Sequence, residues 1–146
     1  MSGAALGASI RPVLLVVDDH PANVQILHAV LRGDYEVCVA LSGKAALAFC
    51  NDRIPDLILL DVVMPEMDGY QLCAALKASA HTRDIPIVFV TGNGEPQEQA
   101  RGYDAGAVDV IVKPFHATVV RARVRAQLTL VRQARLLRAL GHVERA

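Results

Sequence analysis

The chain has 146 residues, 53% of them apolar, which suffices for the core of one domain. Its 15 Lys and Arg balance 15 Asp and Glu, so it lacks the basic excess expected of a nucleic-acid protein. That zero averages two unlike halves. Residues 1–112 hold 14 acidic against 7 basic side chains, whereas residues 113–146 hold 8 basic ones against Glu144 alone.

The first ten residues are small and uncharged, without the basic leader and long apolar stretch of a signal peptide. Residues 1–11 are therefore expected to be a disordered lead-in. Apolar runs follow at Val13–Val17, Glu36–Ala40, Asp56–Leu60, Ile85–Val90 and Val108–Val112. Each has the length of a buried strand and is continuous rather than alternating, as a strand covered on both faces should be. Segments of helical periodicity lie between them. Pro21 suits a first helical turn, after which Val24, Leu27, Val30 and Leu31 share a face. Ser42 is a suitable N-cap for a helix through Leu47 to Cys50. Tyr70, Cys73, Ala74 and Lys77 follow an Asp68-Gly69 turn, Pro96 opens a helix ending near Gly106, and a last helix begins at His116 or Ala117.

Five strands alternating with five helices define an α/β fold: a parallel sheet wound on both faces by right-handed crossovers. The expected division is a domain over 12–131 and a helical extension over 132–146. Cys38, Cys50 and Cys73 cannot all pair and form no Cys-x-x-Cys motif, so reduced thiols in the cytoplasm are expected. No apolar run approaches the roughly 18 residues needed to span a bilayer, so no membrane association is expected.

In an open parallel sheet, the strand carboxyl ends line the ligand crevice. Strand 1 ends in Asp18-Asp19, strand 3 in Asp61, strand 4 in Thr91 and strand 5 in Lys113. Strand 2 brings nothing polar. Three carboxylates at one edge repel one another unless a cation intervenes, and Mg²⁺ suits an oxygen-donor site that leaves room for a phosphate. The first strand-to-helix turn, Asp18-Asp19-His20-Pro21, lacks the Gly, Ser and Thr that cradle a stored nucleotide. A transferred phosphoryl group fits better. Asp61 is the candidate nucleophile, Asp18, Asp19 and Asp61 the metal carboxylates, and Lys113 and Thr91 the holders of phosphoryl oxygens. Gly92 leaves room for a close approach by a backbone N–H. His20 is the one histidine beside this cluster, and an exposed loop position is expected for it.

Four strings carry a family resemblance: Val16-Val17-Asp18-Asp19 with Pro21 and Asn23; Leu60-Asp61-Val62-Val63-Met64-Pro65-Glu66-Met67-Asp68-Gly69; Val90-Thr91-Gly92; and Lys113-Pro114-Phe115. In this order, each at a predicted strand end, they resemble the receiver domain of two-component response regulators over residues 12 to about 125. The resemblance implies a flavodoxin-like sheet of order 2-1-3-4-5 and a signalling switch rather than an enzyme acting on other substrates. It implies that Asp61 accepts phosphate from a phosphohistidine of a sensor kinase or phosphotransfer protein. It also implies that the backbone carbonyl of Val63 joins Asp18, Asp19 and Asp61 around Mg²⁺, and that the Lys113–Pro114 peptide is cis. Two positions depart from the family. Val110 stands where receivers usually carry Tyr or Phe, so the signal is expected to travel by the Thr91–Pro96 loop and the last two helices. Val63 and Asn93 occupy positions that tune dephosphorylation, and Val63 cannot orient a hydrolytic water. An acyl phosphate of moderate to long life is expected.

The last segment places Val120, Val124, Leu128, Val131, Ala134 and Leu137 three or four residues apart. A helix from Ala117 to Leu140 would be about 36 Å long, against about 17 Å for a five-residue strand. Its final turns should overhang the sheet. Arg121, Arg123, Arg125, Arg132, Arg135, Arg138 and Arg145 lie along it. A connecting helix accounts for both features, either pairing with its counterpart in a homodimer or leading into an output domain. Receivers ending in this way often precede a diguanylate cyclase, a phosphodiesterase or a kinase. Nucleic-acid contact by the tail ranks lower, since no helix-turn-helix follows. A metal-dependent phosphohydrolase would want a second Asp two residues after its nucleophile, where this chain has Val63.

Overall fold

The computed structural model describes residues 11–145, so the expected lead-in, Arg11 apart, lies outside the described residues. The elements are β1 Val13–Val17, α1 Pro21–Leu31, β2 Glu36–Ala40, α2 Gly43–Asp52, β3 Leu57–Asp61, α3 Gly69–Ala78, β4 Ile87–Thr91, α4 Pro96–Asp104, β5 Asp109–Val112 and α5 Ala117–Arg145. All strand pairs are parallel, in the order β2-β1-β3-β4-β5. Both the α/β class and the strand order are as expected.

Strand boundaries shift by a residue or two where a polar group takes over. Asp56 stays outside β3 because its carboxylate accepts the Val13 N–H at 2.7 Å and its own N–H donates to the Val13 carbonyl. Pro86 has no N–H for a ladder, and β4 starts after it. Two helix starts are capped by side chains. Ser42 accepts the Ala45 N–H at 3.0 Å, and Asp68 with Gln71 forms a reciprocal capping box on α3.

Alternate residues of each strand feed two cores, one per face. Leu14, Val16, Leu57, Leu59, Val88 and Val90 pack with Val24, Leu27 and Leu31 of α1 and with Val120 and Val124 of α5. Leu15, Val17, Ile58, Leu60 and Phe89 face Ala46 and Cys50 of α2 and Leu72, Cys73 and Leu76 of α3. Gly102 of α4 lies against Phe89 and Val110 on that same side. Every residue of β3 and β4 is buried, which is why their sequences show no polar alternation. Cys38, Cys50 and Cys73 are free thiols.

The last helix runs from Ala117 past Leu140 and Gly141 to Arg145, within the range expected for the helical extension. Its packed face is shorter. Val120 and Val124 are buried, Leu128 and Val131 half-buried, and residues 132–140 all exposed. At 100° per residue, the position following Val131 on that face is Arg135, not Ala134 or Leu137. Arg135 reaches back to Asp56, 3.7 Å away, at the edge of the sheet remote from the strand carboxyl ends. Beyond it the helix overhangs.

Candidate functional site

Parallel pairing in register brings the polar strand ends together. Val17 pairs with both Ala40 and Leu60, Asp61 with Val90, and Thr91 with Val112, so Asp18, Asp61, Thr91 and Lys113 converge on one edge. Asp18 and Asp61 are buried, with 3% and 5% of their surface exposed. Asp18 is held by its own turn: one carboxylate oxygen accepts the His20 N–H at 2.9 Å and the other the Asn23 amide at 3.1 Å. The Lys113 ammonium donates to Asp61 Oδ1 at 3.1 Å and lies 3.8 Å from Asp18 Oδ2. Its backbone is pinned by an N–H bond of 2.7 Å to the Thr91 carbonyl, and the Lys113–Pro114 peptide is cis, as expected.

The cluster is electrostatically unbalanced. Asp18, Asp19, His20 and Asp61 each offer one ligand atom, and these atoms all lie within 4.8 Å of one another. Burial pushes the Asp61 carboxyl above the ordinary carboxylate range. Its hydrogen bond to Lys113 opposes that shift, and Asp18 and Asp19 reinforce it by repulsion. Asp19 Oδ1 is buried and accepts no hydrogen bond, although the His20 ring nitrogen stands 3.2 Å away. A buried carboxylate oxygen without a donor, among two further carboxylates and one lysine, fits a hard divalent cation with oxygen ligands.

The other candidates divide. Thr91 is buried at the same edge, where its hydroxyl accepts the Asn93 N–H at 3.1 Å. Gly92 is exposed, and a Cβ there would meet nothing within 4 Å, so the protein's own packing does not require glycine. The Val63 side chain points to solvent, 74% exposed, and offers the site no polar group beyond its backbone. Gly69 has a sharper role. A Cβ at this first residue of α3 would overlap the Asp61 carbonyl oxygen and come within 2.8 Å of Val62 Cα. With the Gly69 N–H bonded to the Val62 carbonyl at 2.8 Å, the start of α3 fixes the chain just beyond Asp61.

Two contacts were not legible as site features. His20, 63% exposed as expected of a loop residue, also places Nδ1 3.1 Å from Asp18 Oδ1. Asn23 holds Asp18 because the first turn of α1 points back at the strand end. Its place in the Asp-Asp-x-Pro-x-Asn string is the only sequence signal. At the departure from the family, Val110 is buried, and Gly102 leaves no room for a Cβ between Val110 and Phe89. Phe89 instead pairs with Tyr70, ring centroids 5.2 Å apart, and Arg101 of α4 covers Tyr70 at 4.0 Å.

A doubly wound parallel sheet of order 2-1-3-4-5, with buried carboxylates and a lysine at its carboxyl edge, is the architecture of the receiver fold. Residues 14–125 match the family profile described as the response regulator receiver domain, and the chain belongs to that family. A relative from Vibrio cholerae named "Probable cyclic di-GMP phosphodiesterase" is 39% identical over 115 residues, which make up 79% of this chain and 26% of the relative. Response regulator PleD of Caulobacter vibrioides is 44% identical over 114 residues, 77% of this chain and 25% of that protein. The chain thus spans about a quarter of the length of these curated relatives. Among solved structures, the receiver domain of sensor histidine kinase PA1611 from Pseudomonas aeruginosa superimposes with a TM-score of 0.75. It is 27% identical, the match covers 81% of this chain and 98% of that one, and its active-site cleft holds a coordinated magnesium ion. No helix among the described residues is long and apolar enough to cross a membrane.

Proposed function

We propose that this receiver takes a phosphoryl group from a phosphohistidine of a sensor kinase or phosphotransfer protein onto Asp61. The observation that carries the reading is the Lys113–Asp61 contact of 3.1 Å beside the orphaned Asp19 oxygen. The Asp61 carboxylate attacks phosphorus, forming an acyl phosphate as the P–N bond breaks and the imidazole keeps the electron pair. Lys113 then exchanges its carboxylate partner for a phosphoryl oxygen, and Thr91 turns its hydroxyl towards another. Asp18, Asp19, Asp61 and the Val63 carbonyl would hold Mg²⁺, which supplies charge neutralisation at the transferring group. The magnesium in the cleft of the PA1611 receiver supports this assignment.

The signal leaves through the loop joining Thr91 to Pro96, into α4 and on to α5. Val110 packed against Gly102 has no arm to swing, so loop and helix displacement replaces an aromatic rotamer. Through α5 the receiver controls an output domain in the same chain or a dimer partner. A cyclic di-GMP phosphodiesterase output is one type supported by the Vibrio cholerae relative's name; a diguanylate cyclase or a kinase is the alternative in the same place. The setting is the cytoplasm, where its three thiols stay reduced.

Beryllofluoride, a mimic of the acyl phosphate, tests the chemistry. Wild type should bind it only with Mg²⁺ present, and Asp61→Asn should not bind it at all. Equal binding by the variant, or none by wild type, would overturn the reading.

A further inference from the structure

We propose that α5 carries a second apolar face, opposite the one packed on the receiver, and that this face pairs with a second copy of the chain as a parallel coiled coil. The inference deepens the reading of α5 as the outgoing element, but it does not depend on phosphoryl chemistry.

Leu130, Leu136, Leu137 and Leu140 are each more than half exposed. At 100° per residue their mean direction lies nearly opposite the buried Val120, Val124 and Leu128, so they are no continuation of the core stripe. Leu130, Leu137 and Leu140 have the spacing of a heptad seam, which Leu136 flanks. With Leu130 and Leu137 at position a, Ala126, Gln133 and Leu140 fall at d. The seam reaches back past Arg123, another a position, to Val119, also exposed. Arg123 is drawn off the seam by Asp109, 2.7 Å away, and Asp109 is further held by the Tyr103 hydroxyl at 3.2 Å.

Charge placement selects the occupant. The flanking e and g positions between Ala126 and Leu140 are Gln127, Thr129, Ala134 and Leu136, none of them charged. Arg125, Arg132, Arg135 and Arg138 fall at c, c, f and b, clear of the interface. A homodimer brings identical residues together, so arginines at e or g would repel, and this helix has none there. An acidic partner helix would instead find no basic residue beside the seam to recognise. Gln133 is the one polar core residue between Leu130 and Leu140. In a parallel pair it meets its own copy and can exchange amide hydrogen bonds, which fixes the register. The interface is isologous, with both receivers at the same end and both overhangs pointing away.

Cysteines introduced at Leu130, Leu137 or Ala139 in a Cys38→Ser chain, combined with mass measurement by sedimentation, test this. The native Cys50 and Cys73 are buried. Leu130→Cys and Leu137→Cys should each cross-link to their own copy on oxidation, while Ala139→Cys, at position c, should not. Wild type should show a dimer in concentrated solution. Leu137→Asp should raise its dissociation constant at least about tenfold, and at dilutions where both proteins are monomeric its melting temperature should equal that of wild type because the residue is exposed in the single chain. Ala139→Asp should leave the dimer intact. Monomeric wild type at about 100 µM, or cross-linking at 139 equal to that at 137, would overturn the proposal. Preferential cross-links between Leu130→Cys on one chain and Leu140→Cys on the other would overturn the parallel arrangement. Beryllofluoride binding by Leu137→Asp with Mg²⁺ should persist, so failure of the seam and failure of the phosphoryl site are separable.

Discussion

Asp61 is the residue on which the site's electrostatics turn. Burial, with repulsion from Asp18 and Asp19, raises its carboxyl above the ordinary range despite the Lys113 bond. The folded protein therefore holds that proton more tightly than the unfolded chain, and ionising Asp61 costs folding stability. The cost is absent below the unfolded-chain pKa of about 3.9, grows as pH rises through the folded value, and is complete above it. Asp61→Asn removes it. In metal-free buffer this variant should melt above wild type at neutral pH, and thermal melts taken at falling pH should show the advantage disappear by about pH 3. A second expectation concerns the lifetime of the proposed acyl phosphate. Val63 is apolar and solvent-facing, and the Asn93 side-chain oxygen is already engaged by the Glu95 N–H at 3.0 Å. Neither is set to orient a hydrolytic water. Labelled, kinase-free wild type should hold its phosphate for minutes rather than seconds, and Val63→Asn should shorten the decay several-fold.

At the scale of elements, α3 is tied closely to the end of the strand that carries Asp61. Its capping box starts the helix at Gly69, and the overlap a Cβ would make there couples the helix to the chain after Asp61. Gly69→Ala must push the two apart, because the obstructing atoms are backbone. It should cost roughly 1–3 kcal/mol by denaturant unfolding, with a matching loss of beryllofluoride affinity. The elements themselves were legible in the sequence because each buried strand is an unbroken apolar run. Their ends were less so. Asp56 and Pro86 trim strands for hydrogen-bonding reasons that involve neighbours distant in the chain, such as Val13. The last helix differed most. Spacing put Ala134 and Leu137 on the packed stripe, whereas the helix turns Arg135 to that face and leaves both exposed, since that depends on where the sheet stops.

In the whole molecule, the acidic body and basic tail meet at defined points. Arg123 pairs with Asp109 at the border of the free face and Arg135 with Asp56 on the packed face, so α5 is fastened to the body at two points. The two arginines are 45% and 61% exposed, so the pairs guide position more than they add stability. The larger reserve lies at the opposite edge, where three carboxylates share one lysine. Mg²⁺ should therefore stabilise the entire fold by linkage, by about 2.7 kcal/mol at a hundredfold excess over its dissociation constant. A melt with Mg²⁺ and with chelator would measure this difference, and Asp19→Asn should lose most of it.

The order of strands and helices, the two-sided burial of the sheet and the placing of Asp18, Asp19, Asp61, Thr91 and Lys113 at its carboxyl edge were all determined by the sequence itself. Local patterning suffices for these, because continuous apolar runs become buried strands and a parallel sheet gathers their carboxyl ends. Other features awaited the tertiary structure. The hold of His20 and Asn23 on Asp18 depends on how the first turn of α1 is aimed. The close fit of Gly69 against Asp61 and of Gly102 against Val110 depends on how near two elements approach. The division of α5 into a packed face and a free one depends on the sheet ending before the helix does. Each is a relation between segments distant in the chain, set by packing and loop geometry rather than by local periodicity.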